Sequence, residues 1–340
     1  MIKYIGSKRT LLPKIVSTIQ ALGDDVHTVL DLFSGTSRVG HALKQAGYRV
    51  ISNDHNTYAH TLATCYVQAD LEDVLEPATK LIAELNQLTG SAGYFTETYC
   101  VKSRYFQPKN GEKIDAIREE IERKSLDPEL RAVVLVSLME AADRVDSTTG
   151  VQMAYLKQWS ARSHNDLEMR MPAVLPRSRH GKSIAVLSEA LDAALAHEAD
   201  VAYLDPPYNQ HSYLGNYHVW ESLVLWDKPE VYGIACKRID VKERRSSFNK
   251  KRTFDEALRK TISSLRSRRI VVSFNNEGYI DREEMEALLS TRGDVSTIET
   301  DYKRYVGAQI GIHNLKGEKV GEVSHLRNKE YLYVVSPQRS

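Results

Sequence analysis

Residues 28–54, TVLDLFSGTSRVGHALKQAGYRVISND, place the strongest constraint on what this chain folds into. A short β-branched run, TVLDLF, meets a glycine. The segment that follows puts Val39, Leu43 and Ala46 on one helical face and closes on Gly47, where a C-cap is expected. A second β-branched run, YRVISND, comes next. Strand, glycine turn, helix and strand make a βαβ unit, so an α/β fold with a doubly wound sheet is expected. Runs at 182–188, 200–205, 269–275 and 330–336 are too short and too β-branched for buried helices, and they extend the sheet.

The alternation breaks between about 60 and 180, where the sequence turns helical and charge-rich. Within it, EKIDAIREEIERKSLDPELRAVVLVSLMEAADRV reads as two amphipathic helices separated at Asp127 and Pro128. The expected organisation is a catalytic sheet from 1–85 and 181–340 interrupted by a mainly helical insertion at 86–180. Three cysteines, Cys65, Cys100 and Cys236, stand far apart without metal spacing, so neither a disulfide frame nor a metal site is expected. With no secretory leader and no long uncharged apolar run, a cytoplasmic, membrane-free protein is expected.

The glycine turn limits the ligand. A phosphate-binding P-loop requires Lys after its second glycine, but His41 follows Gly40; the dinucleotide fingerprint requires a second glycine where Ser37 stands. A cofactor without phosphates remains. S-adenosylmethionine fits: Asp31 would accept from its ammonium, Gly35 leaves room for adenosine, and Asp54 is placed for the ribose hydroxyls. Taken singly, either acid could equally end a strand or cap a helix.

At the end of another apolar run stands DPPY, residues 205–208. A specified tetrapeptide this rich in proline arises by chance on the order of once in a thousand chains of this length. Its place matters too, because ligands of open α/β sheets lie beyond the carboxyl ends of the strands. An exocyclic amino group on a base is a poor nucleophile while its lone pair is delocalised into the ring. Asp205 and the carbonyl of Pro206 are placed to accept its two N–H bonds and localise that lone pair. Pro206 and Pro207 stiffen the backbone that carries the carbonyl, and Tyr208 offers a face on which an extruded base can stack.

These residues, with KYIGSKRTLLPKI at 3–15, SNDHN at 52–56, STTGVQMAYLKQW at 147–159 and the tail HNLKGEKVGEVSHLRNKEYLYVVSP, resemble the Dam-like alpha group of DNA adenine-N6 methyltransferases. The likeness is to a modification enzyme of a restriction system more than to the short replication-linked enzymes. It implies a Rossmann-like S-adenosylmethionine-dependent sheet with a helical target recognition insertion, acting by base flipping and direct in-line displacement. It further implies cofactor contacts from Tyr4, Lys8, Asp31, Phe33, Ser34, Gly35, Asp54 and Asp205, and a catalytic set of Asp205, Pro206, Pro207 and Tyr208. Two departures stand out: many relatives carry glycine at the place of Ser37, and the acid that meets the cofactor's adenine is represented by Glu189 beside Ser188. Asp as the first letter of the tetrapeptide goes with adenine N6 in this group.

Lysines and arginines, 46, nearly balance aspartates and glutamates, 45, so a polyanion has to be held by a local patch. That patch is ACKRIDVKERRSSFNKKR at 235–252, expected as an exposed, mobile loop. Lys237, Arg238, Lys242, Arg244, Arg245, Lys250, Lys251 and Arg252 are expected on phosphates. Sequence readout falls to the insertion, with Arg104, Lys109, Arg144, Lys157, Arg162 and Arg177 as candidates. Tyr213 could help hold a flipped base, whereas Tyr217 and Trp220 read as core. The expected partners are double-stranded DNA and a companion restriction endonuclease. An RNA adenine-N6 methyltransferase and a catalytically silent DNA-binding relative are the alternatives.

Overall fold

Seven strands form the central sheet: β1 Thr28–Asp31, β2 Arg49–Asp54, β3 Ile184–Leu187, β4 Val201–Leu204, β5 Arg269–Asn275, β6 Asp294–Lys303 and β7 Arg327–Ser336. The computed structural model describes residues 1–207, 212–244, 246–303, 312–313, 319–321 and 327–338. Strand order is β3-β2-β1-β4-β5-β7-β6. β7 runs antiparallel to both its neighbours, and the other pairings are parallel. The order is that of the dinucleotide-binding sheet with one reversed strand slipped between the fifth and the sixth.

The helices that matter below are α1 Leu12–Gln20, α2 Arg38–Gln45, α3 Thr57–Ala63, α4 Leu71–Asn86, α5 Pro108–Lys124, α6 Pro128–Arg144, α7 Ala190–Ala196, α8 His218–Leu225, α9 Lys251–Ser264 and α10 Arg282–Leu289. Because strand side chains alternate, Val29, Val50, Val201, Tyr203 and Val271 pack on one face with α1 to α6 and α8. Leu30, Ile51, Ala202, Leu204, Ile270 and Val272 pack on the other with α7, α9 and α10. Both faces of the central strands are covered, which is why they read as continuous apolar runs.

Residues of 86–180 share the first of these cores instead of enclosing one of their own. α6 shows why: every residue from Ala132 to Met139 is buried, so the helix has no wet side at its middle. Asp127 caps it, accepting from the amides of Glu129 and Leu130 at 3.0 and 3.4 Å, and Pro128 opens its first turn, where a missing N–H costs nothing. Gly47 follows α2 at φ +98°, the left-handed stop anticipated there. No helix among the described residues is long and apolar enough to cross a membrane.

The order of strands reverses between β1 and β4, and connections that leave this pair to opposite sides make a crevice beyond their carboxyl ends. Asp31 ends β1 and Asp205 follows β4, so the sheet topology alone brings both acids to one place.

Candidate active site

That crevice is an open cleft whose empty space, continuous with solvent, is about 880 Å³. Its floor is built by the turn from β1 into α2. Gly35 takes φ +50° and Ser37 φ +59°, so the position where relatives carry glycine is left-handed, and serine holds that conformation at a cost of roughly 1 kcal/mol or more. The Gly35 amide donates to Asp54 Oδ2 at 3.0 Å, while Oδ1 accepts from the Asn56 amide and side-chain nitrogen at 2.9 and 3.1 Å. Asp54 therefore ties the end of β2 to the glycine turn; both lone-pair sites of Oδ1 are taken by Asn56, and Oδ2 keeps one beyond its bond to Gly35.

Asp31 is buried, and its Oδ2 has no hydrogen-bond partner among the described residues. Burial, with repulsion from Asp205 behind it, pushes this carboxyl up to about 8. A Cβ on Gly40 would stand 2.9 Å from Val67 and 3.2 Å from Asp31 Oδ2, so glycine is what lets α2 cross this carboxylate so closely. A buried acid with one oxygen unmet at a cleft floor is costly, and it is well suited to a cation arriving from solution.

Asp205 keeps 20% of its side chain exposed, and its Oδ1 lies 3.2 Å from Lys8 Nζ. Lys8 is buried in a short 3₁₀ turn before α1 and also pairs with Glu330 of β7. Burial raises the Asp205 carboxyl to about 6; Lys8 draws it down and Glu330 pushes it up. Two carboxyls displaced upward, one on each side of a topological switch point, mark a site built for chemistry.

The family model for the D12 class N6 adenine-specific DNA methyltransferase matches residues 4–288. The chain belongs to this family. Similar proteins include the modification methylase StsI of Streptococcus sanguinis, 33% identical over 332 residues and 91% of this chain. The type II methyltransferase M.FokI of Planomicrobium okeanokoites is 31% identical across 98% of this chain. The type II methyltransferase M.NlaIII of Neisseria lactamica is 29% identical across 96% of it. The chain spans about half the length of the first two, 49% and 52%, and 99% of the third.

In this D12-class chain the cleft gathers Tyr4, Lys8, Asp31, Phe33, Ser34, Gly35, Asp54, Glu189, Asp205 and Pro207 along its walls. Pro206 is buried beside them, and Tyr208 lies outside the described residues. Tyr4 is sandwiched between Tyr213 and Tyr217, with centroids at 5.2 and 4.5 Å, and its hydroxyl meets that of Tyr58 at 3.1 Å. Tyr213 lines the cleft, while Tyr217 and Trp220 are core residues, as their helical spacing indicated. Glu189 lines the cleft together with Ser188 and pairs with His55 at 3.3 Å, which holds its carboxyl below the usual range.

Several wall residues were not anticipated. Phe248 meets Phe33 edge-on at 5.0 Å, and Ser246, Asn249 and His55 stand near it. The available signal for Phe248 was a solitary aromatic inside a polar, basic run. Glu330, which is tied to the cleft through Lys8, had its signal as the acid that opens the apolar run EYLYVVS.

The basic loop differs from expectation. It is folded, with a short hairpin pairing Val231–Tyr232 to Lys237–Arg238 and 3₁₀ turns at Ile239–Lys242 and Ser247–Asn249. Arg238, expected on phosphate, is 2% exposed and forks onto both oxygens of Asp227 at 2.7 Å while also holding Asp240. Arg244 is committed to buried Glu221 at 2.7 Å and to Asp240 at 3.2 Å. Glu221 in turn accepts from the first amides of α3, Thr57 and Tyr58. Both corrections have one cause: an arginine flanked by carboxylates gains more from fixed bidentate pairing than from solvent. Lys237 is half-buried, and Lys242 lies 4.2 Å over the Tyr232 ring. Lys250, Lys251 and Arg252 are exposed at the start of α9, and Arg245 lies outside the described residues.

Of the insertion candidates, Lys109 pairs with Asp166, Arg162 with Asp146, and Arg177 with Asp70 and Asp73. Arg104 lies over Trp159 and donates to the Lys157 carbonyl, and Arg144 donates to that of Glu168. Lys157 is exposed.

Proposed function

We propose that this chain methylates N6 of adenine in a specific duplex DNA sequence, as the modification enzyme of a restriction system with a companion endonuclease, in the cytoplasm. The observation that carries this reading is the meeting of Asp205 and Asp31 across one cleft at the switch point, each carboxyl displaced upward by burial. S-adenosylmethionine, when bound, supplies an electrophilic methyl group. The cleft suits it: Asp31 Oδ2 is an acceptor awaiting an ammonium, Asp54 Oδ2 has one acceptor site left for a ribose hydroxyl, and Phe33, Gly35 and Glu189 offer an adenosine wall.

Asp205 and the Pro206 carbonyl accept from the target amine, which localises its lone pair for in-line attack. No covalent intermediate on the protein is required. Cys65, Cys100 and Cys236 are all buried, and none follows a proline as the nucleophile of cytosine-C5 enzymes does. Lys242, Lys250, Lys251 and Arg252 take the phosphate contacts, with residues 86–180 reading the sequence. Basic side chains crowd the first turn of α9, where the helix dipole disfavours them, and an approaching polyanion offsets that cost.

Transfer of labelled methyl groups to duplex DNA and to structured RNA tests the reading. Duplex DNA is expected to be labelled, and Asp205→Ala to lose about 10²-fold or more in kcat while still binding cofactor. Labelling of RNA in preference to DNA, or near-normal turnover by the variant, refutes it.

A further inference from the structure

A buried acid on a central strand needs an explanation. Glu330 sits on β7 opposite Asn275 of β5 and Thr300 of β6, and it is 6% exposed. An apolar side chain there would complete the strand pattern without the desolvation cost that a carboxylate brings. Instead Glu330 Oε1 takes the Lys8 ammonium and accepts from Ser273 Oγ at 2.8 Å, so the carboxylate is held from two sides. Lys8 Nζ is at the same time 3.2 Å from Asp205 Oδ1. One cation is thus shared between an acid of β7 and the acid that follows β4, and the trio carries a net negative charge.

We infer that Glu330 is a positioning residue for methyl transfer: by sharing Lys8 it keeps the ammonium on Oδ1 of Asp205 and leaves Oδ2 of that carboxylate to accept from the target amine. The inference rests on the reading of Asp205 given above. Without Glu330, Lys8 would turn more fully to Asp205, stabilise its charge and compete with the amine for its lone pairs. Among the described residues the charged and titratable groups that face Asp205 are Lys8 from the turn before α1, Glu330 from β7, Asp31 from β1 and Tyr203 from β4. Of the two joined by Lys8, Glu330 pushes the Asp205 carboxyl up while Lys8 draws it down.

The test is the pH profile of single-turnover methylation by the whole chain, with thermal melting alongside. Glu330→Gln is expected to slow transfer about tenfold at neutral pH and to move the acidic limb downward by on the order of one pH unit. Affinities for DNA and cofactor should stay within about twofold of the parent. Lys8→Gln is expected to move the same limb upward, which keeps the test open if the first variant fails to fold. A limb that stays in place in a folded Glu330→Gln variant, whatever its melting temperature, overturns the inference. If the parent chain methylates no DNA, the reading of the function falls separately. Carbon-13 titration of the Asp205 carboxyl then decides: a downward move in Glu330→Gln supports shared Lys8, and an unchanged titration overturns it.

Discussion

Two clusters of charge in this chain are built on opposite terms. Between residues 221 and 244, two arginines meet three carboxylates, and the geometry is close and bidentate: Arg238 with Asp227 and Asp240, Arg244 with Glu221 and Asp240. On the cleft floor, Asp31, Asp54 and Asp205 face one space, and Lys8 is divided between Asp205 and Glu330. The first cluster satisfies its members and so fixes a loop. The second leaves acceptor capacity over, and that surplus of negative charge suits a cationic ligand.

Substitutions break this comparison in graded ways. The largest effect is expected from Asp31→Asn, which removes the acceptor for an ammonium and should weaken S-adenosylmethionine binding by roughly 2–3 kcal/mol, measured by calorimetry. The same change should stabilise the cofactor-free chain in a pH-dependent manner. With its carboxyl raised to about 8, native Asp31 binds a proton more tightly than the unfolded chain does. Its contribution is therefore present at low pH and lost as pH rises through 8. The melting temperature of the variant should pull ahead of the parent between about pH 5 and 8, and parallel curves would contradict the assignment.

In the satisfied cluster the expectation reverses. Arg238→Ala empties a buried position, takes this arginine from exposed Asp227 and leaves Asp240 to Arg244, and should cost about 2 kcal/mol of stability in denaturant melts. DNA affinity should keep its salt dependence in that variant. Neutralising Lys250 or Lys251, by contrast, should leave stability nearly untouched and reduce the slope of log affinity against log salt by about one each. A slope lost with Arg238 and kept without the lysines would invert the division between the two regions.

The smallest change sharpens the floor itself. Ser37 is left-handed, its hydroxyl is buried without a partner among the described residues, and it provides no side-chain cap to α2. Ser37→Gly should raise stability by about 1 kcal/mol, the relief of backbone strain and an unmet hydroxyl outweighing glycine's freedom in the unfolded chain. Cofactor affinity should hold, and a drop in the melting temperature would show that the serine does more than occupy the turn.

What could be read from sequence follows the physics of each element. The central strands are covered on both faces, so their apolar runs were legible, and β5 matches its anticipated span of 269–275. The edge strand β6, DVSTIETDYK, has a partner on one side only, and its polar alternation gave no such run. Asp31, Asp54 and Asp205 were legible because each directly follows or ends a strand, where topology converts chain position into a place in the cleft. The fate of Arg238 was not, since it depends on Asp227 reaching back across a hairpin. Nor was the sharing of Lys8, because its two acids lie on strands that only the folded sheet brings together.

The reversed strand between β5 and β6 has a consequence for synthesis. β6 has no neighbour in the sheet except β7, and Lys8 and Glu330 stand 322 positions apart. A ribosome must deliver residue 336 before either can be settled, so the nascent chain waits with the rim of β5 bare and vulnerable to intermolecular pairing. Of the strands of this sheet the one made last thus acts as a keystone, and the Lys8 bridge from Glu330 to Asp205 exists only when it is set.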